Sequence, residues 1–133
     1  MSYECSPAVK NARAQVIVNA LDGGTGPGQW AFYSAPQPAA GSAITTQTLL
    51  ATVLLTDPCG TVTDGALTLT SAGDVLAVAD GVIAWARFTD SADTFVMDAD
   101  VSDLAGMGAI KIDNPRVYTG GTIRILSAAF TEA

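Results

Sequence analysis

The 133-residue chain contains no histidine. That removes the commonest general base and with it any Ser-His-acid or Cys-His arrangement. Lysine occurs only at Lys10 and Lys111, neither in a context that would depress its pKa. Six cations, spread singly, face thirteen acids, for a net charge of −7. Nucleic-acid binding needs a positive stripe, so no direct nucleic-acid partner is expected. No run of eighteen apolar residues exists to span a bilayer, so no membrane partner is expected. Met1 to Ala20 also lacks the basic, apolar, small-residue order of a signal peptide. A soluble product made in the cytoplasm is the expectation. Cys5 and Cys59 are the only cysteines. Two cysteines can pair, but a cytoplasmic product keeps thiols reduced, and two without histidine do not build a zinc site of the usual kind. Neither metal nor cofactor is expected.

What the chain has instead is apolar mass: 49% of residues are apolar and only 14% charged. The length suits one domain over residues 1–133. Much of the apolar count is alanine, yet so little charge leaves apolar patches on an isolated monomer, and such patches commonly mark interaction surfaces.

The first element reads as a helix over 7–22. Ser6 fits the N-cap and Pro7 the first helical position, while Val9, Ala12, Val16, Ile17, Ala20 and Leu21 recur on one face. Gly23 and Gly24 supply a left-handed residue to end it. A strand over Ala14 to Ala20, encouraged by Val16-Ile17-Val18, is the competing reading. Gly23 to Gly28 contains four glycines, but it follows a helix and enters a strand, the reverse of a phosphate loop, and lacks the Lys-Ser/Thr pair. It reads as a connector.

Beyond it a β region spans 29–133. Gln29 to Ser34 is a strand closed by a segment with Pro36 and Pro38, where a central ladder cannot continue. Thr48 to Thr56 reads as a buried strand ended by Asp57-Pro58. Turn signals then recur about every ten residues, at Asp64-Gly65, Ala72-Gly73, Asp80-Gly81, 90–93, 106–108 and Gly120-Gly121. They delimit strands at 66–70, 75–79, 82–89, 94–100, 109–113 and 122–131. The fold expected is mainly β, an antiparallel β-sandwich, jelly-roll-like, of about eight strands with one N-terminal α-helix.

The clearest hairpin runs from Asp80 to Val101. Alternation puts Val82, Ala84, Ala86 and Phe88 on one face and Ile83, Trp85, Arg87 and Thr89 on the other. Both faces are apolar, so something beyond the sheet must cover one of them: the helix, a loop or a neighbouring subunit. Arg87 is placed to stack on an aromatic ring, to pair with an acid across the strand, or to lie over apolar carbon.

Chemistry is hard to find. The acids sit mostly in turns or beside glycine, where they are ordinary turn formers, and no enzymatic activity is expected. Asp98, Asp100 and Asp103 invite a calcium site but lack the glycine and the closing glutamate of an EF-hand. Met97 and Met107 read as core fillers.

In order along the chain, several motifs resemble the small virion proteins of tailed bacteriophages, encoded among head and tail structural genes. They are Asn11, Ala12 and Arg13; Gly24, Gly26 and Gly28; Tyr33 and Pro38; Leu49, Leu50 and Ala51; Ala84, Trp85, Arg87 and Asp90; and Gly120, Gly121 and Thr122. The pattern departs from the family in its order at 10–13 and at Ala35, where glycine is more usual. The resemblance implies a structural component. The expected role is a cement or decoration protein on the outer capsid surface, with the major capsid protein as partner and self-association as a dimer or trimer. Trp30, Tyr33, Trp85, Arg87 and Phe88 are the candidate contact residues. A head-tail connector or tail component is the alternative within the virion. A carbohydrate-binding β-sandwich using Trp30, Phe32 and Tyr33 is another, although alternation sets Tyr33 on the opposite face from the other two.

Overall fold

A computed structural model describes residues 5–71 and 75–131. The turn expected at Ala72-Gly73 lies outside the described residues. Helix α1 (Pro7–Asp22) occupies the expected span. Ser6 caps it, its Oγ accepting from the Val9 N–H at 3.3 Å. Gly23 is extended, and the positive φ falls one residue later, at Gly24.

The buried face of α1 matches the expected one only in part. Leu21 is buried and Ile17 packs against the core, as expected, but Ala14 and Val18 are buried where Val9 and Val16 were expected, and those two are 46% and 65% exposed. Apolar residues surround most of this helix, so periodicity alone does not choose a face. Polar anchors do. Asn11 Oδ1 accepts from the Gly65 N–H at 2.6 Å, and Asp22 Oδ1 accepts from the Cys59 N–H at 3.0 Å. Asn11, Ala14, Val18 and Asp22 lie along one stripe, and fixing its two ends rotates Val16 into solvent.

Among the described residues eleven strands follow: β1 (Gln29–Tyr33), β2 (Leu49–Thr63), β3 (Ala66–Ser71), β4 (Val75–Leu76), β5 (Gly81–Val82), β6 (Trp85–Thr89), β7 (Phe95–Ser102), β8 (Ile110–Ile112), β9 (Arg116–Val117), β10 (Thr122–Ile123) and β11 (Ile125–Thr131). Seven close into a barrel in the order β1-β2-β3-β11-β8-β7-β6, and two small ribbons, β4/β10 and β5/β9, stand apart. The mainly β, mostly antiparallel fold with one N-terminal helix is as expected, and the sheet closes on itself. Among the described residues the one parallel pair in the ring is β7/β8.

Asp57-Pro58 does not end its strand. β2 runs on to Thr63, and between Leu55 and Gly60 it spends five steps against two on β3 (Ser71 to Leu69), so three residues bulge out. A bulge tolerates a proline because no ladder N–H is required there. The Cys59 N–H is turned towards Asp22 of the helix instead. At Gly60 a Cβ would stand 2.1 Å from the Thr68 carbonyl oxygen, so the strands meet only because that side chain is missing.

Trp30 and Phe32 point inward from β1 and meet each other; Trp30 also meets Phe88, which meets Phe130, with ring centroids 5.1–6.1 Å apart. The helix contacts β2, β3 and also β7, from another part of the ring. It therefore lies across one mouth of the barrel. The segments 34–48, 75–84, 103–109 and 113–124 all leave from the other mouth, as the strand directions require.

Candidate interaction surface

The outer face of the β6/β7 hairpin is covered from within the chain. Trp85 points outward from the barrel yet is fully buried. Tyr33 stacks on it with centroids 4.8 Å apart and planes 19° from parallel, and its indole N–H donates to the Ser34 carbonyl at 2.9 Å. The Arg87 guanidinium lies 5.3 Å from the Trp85 ring centroid and 5.2 Å from that of Phe95. Arg87 also grips Asp98, directly opposite on β7, through Nε to Oδ1 at 2.8 Å and Nη2 to Oδ2 at 3.0 Å. The hydrogen bond to Asp98 holds the Arg87 pKa above its ordinary value, with burial pulling the other way. Loop 34–48 completes the cover: the Gly41 N–H donates to Asp98 Oδ2 at 3.3 Å, and Gly41 packs against the Phe95 ring.

This arrangement corrects the expected contact residues. Trp30 and Phe88 lie inside the barrel and Trp85 is sealed beneath Tyr33, so none of the three is open in the isolated chain. Tyr33 and Arg87 are half-buried members of the outer cluster. A sugar platform of Trp30, Phe32 and Tyr33 does not form, because the first two are core residues and Tyr33 faces outward.

Exposed apolar side chains gather elsewhere, at the mouth opposite the helix. Leu76, Val78, Val82 and Tyr118 are 47–60% exposed on the two ribbons and their links, and Leu104 and Met107 are 70% and 95% exposed on the β7–β8 loop. Leu49 and Leu126 lie at the same end, on β2 and in the β11 bulge. Expecting Met107 in the core was therefore incorrect; Met97 does pack against it, half-buried. The polar groups of this loop are tied to one another and to its base. Asp103 Oδ1 accepts from the N–H groups of Ala105 and Gly106, each at 3.0 Å, and Ser102 Oγ accepts from the Gly108 N–H at 2.9 Å. Lys111 reaches the Ser102 hydroxyl and the Gly106 carbonyl.

The ribbons are similarly pinned. Ala77 exchanges backbone bonds with Gly120 and Gly121 at 2.9 and 2.8 Å, and the Val78 N–H donates to the Leu50 carbonyl at 2.8 Å. Asp80 Oδ1 accepts from both the N–H and the hydroxyl of Thr119. Short apolar residues lodged within glycine- and aspartate-rich turn segments were the available sequence signal for this surface.

The three aspartates of the calcium reading serve separate tasks. Asp98 holds Arg87, Asp100 Oδ1 accepts from the Ala109 N–H at 2.9 Å, and Asp103 folds its own loop. Among the described residues, no group of three or more His, Cys, Asp or Glu side chains is placed to hold a metal, and no helix is long and apolar enough to cross a membrane. Cys59 is buried at the junction of helix and barrel, its Sγ 3.9 Å from the Val18 carbonyl, while Cys5 lies 3.7 Å from Arg13 Nη1; the two thiols are separate. No family model, no curated protein and no solved structure matches the chain.

Proposed function

We propose that this protein is a structural component of a bacteriophage virion, a cement or decoration protein that sits on the outer capsid and ties neighbouring major capsid subunits together. The observation that carries the proposal is the concentration of exposed apolar side chains at the mouth opposite the helix, on segments held by backbone and side-chain hydrogen bonds. Apolar residues scattered singly over a surface mean little; a cluster at one end marks a contact. Pre-ordered segments also lose little conformational freedom on docking. The motif resemblance along nearly the whole chain supports the same reading. In this arrangement the apolar end meets coat subunits and the helix end points away. Each contact is modest, and many copies on a symmetric shell, with dimer or trimer contacts between them, make it durable.

Quantifying the protein in purified particles tests this. A copy number commensurate with the capsid lattice is expected, together with capsids that lose resistance to heat and dilution when the protein is missing. A handful of copies confined to the neck or tail overturns the cement role and favours a connector.

A further inference from the structure

β1 points Gln29, Ala31 and Tyr33 outward. Ala31 stands between Thr52 on β2 and Arg87 on β6, and it is the smallest side chain in that neighbourhood. The sheet surface therefore sinks at Ala31 into a well of about 320 Å³, walled by Tyr33 and Leu49 at one end, Leu49 also edging the apolar mouth, and by Gln29, Thr89 and Asp93 at the other.

The wall chemistry selects a ligand class. Thr52 and Thr89 each offer a hydroxyl that donates and accepts. Gln29 donates to Asp93 through its amide nitrogen, leaving its carbonyl oxygen as an acceptor. Arg87 spends Nε and Nη2 on Asp98, which leaves Nη1 as a donor whose charge is already balanced. Asp93 adds negative charge, and the whole chain carries −7, so an anion is disfavoured. One carboxylate in the well does not make a divalent-cation site. Tyr33, held rigid by its stack on Trp85, supplies a fixed aromatic edge. Mixed donors and acceptors around an aromatic wall suit a neutral polyhydroxylated ring. We infer that this well is a saccharide subsite that takes a neutral pyranose unit. Its volume falls at the lower end of small-ligand pockets, roughly 300–1,000 Å³.

The inference is independent of the virion role, because the well belongs to a single folded chain. The test is an amide-resonance titration of the isolated protein with glucose, galactose, N-acetylglucosamine, maltose and lactose, with inorganic sulfate as the counter-probe. Saturable shifts in the millimolar range are expected with at least one saccharide, confined to residues 29–33, 52 and 87–93. Ala31→Leu fills the well and Thr52→Val removes an exposed hydroxyl; each should weaken binding by about tenfold or more. Each variant's own spectrum reports whether it folds, and if Ala31→Leu does not, Thr52→Val carries the test. Three outcomes overturn the inference: no saturable shift with any saccharide at tens of millimolar, shifts that survive in the folded variants, or sulfate binding tighter than every sugar.

Discussion

Arg87 and Asp98 face one another across β6 and β7 in a two-pronged ion pair whose carboxylate side is only 2% exposed. The pair also holds loop 34–48, since Asp98 accepts from the Gly41 N–H. Removing Arg87 leaves a buried carboxylate facing a backbone donor alone, and such losses cost about 3 kcal/mol. Arg87→Ala should lower the unfolding free energy by that amount in urea. The double variant Arg87→Met with Asp98→Leu should recover most of it, because the penalty comes from the stranded charge.

Asp80 makes a pH-dependent tie. Its bonds to Thr119, the backbone one foremost, hold its pKa below the ordinary 3.8 against desolvation, and Arg116 adds the smallest pull downward. A folded pKa below the unfolded one means that the tie is present above the unfolded value and lost as pH falls through the folded value. The Thr119 amide resonance should therefore titrate with a midpoint below 3.8. In Asp80→Ala the same amide should exchange faster at neutral pH. A midpoint at or above 3.8 would contradict this account.

Two glycines separate steric from conformational cost. Gly60→Ala drives a methyl group into the Thr68 carbonyl and should cost about 3 kcal/mol or more. Gly120 has φ +83° with nothing within 4 Å of its missing Cβ, so Gly120→Ala should cost only about 1 kcal/mol, the strain of a left-handed residue. Equal losses in chemical denaturation would remove the distinction.

The helix shows which features were legible from sequence. Its span was, because Ser6 and Pro7 are local signals whose chemistry does not depend on the rest of the fold. Its buried face was legible only at Ile17 and Leu21, because Asn11 and Asp22 find Gly65 and Cys59 only after β2 has bulged around Pro58. The same holds for Trp85. Alternation separated it from Phe88 without deciding which face is the outer one, and its cover is Tyr33 and loop 34–48, brought there by ring closure between β1 and β6. The apolar end was not legible because its residues lie in three separate turn segments and on two strands, β2 and β11, that meet only in three dimensions.

The rotated helix face yields its own test. Val18, off the face that periodicity suggests, is only 4% exposed, whereas Val16, on that face, is 65% exposed. Val18→Ala should cost about 2 kcal/mol, whereas Val16→Ala should stay within about 0.5 kcal/mol. The reverse ranking in thermal or chemical unfolding would restore the face that periodicity alone suggests.

The docking end can be tested without disturbing the fold. Leu104 and Met107 contribute little to the core at 70% and 95% exposure, so Leu104→Asp with Met107→Asp should leave unfolding unchanged within about 0.5 kcal/mol. If this end seats on the capsid, two buried carboxylates without partners oppose docking, and occupancy on purified particles should fall sharply. Val16→Asp, as exposed but on the helix at the far mouth, is the matched control and should leave occupancy intact. The opposite pattern, with occupancy lost in the helix variant and kept in the loop variant, would turn the molecule end for end on the shell.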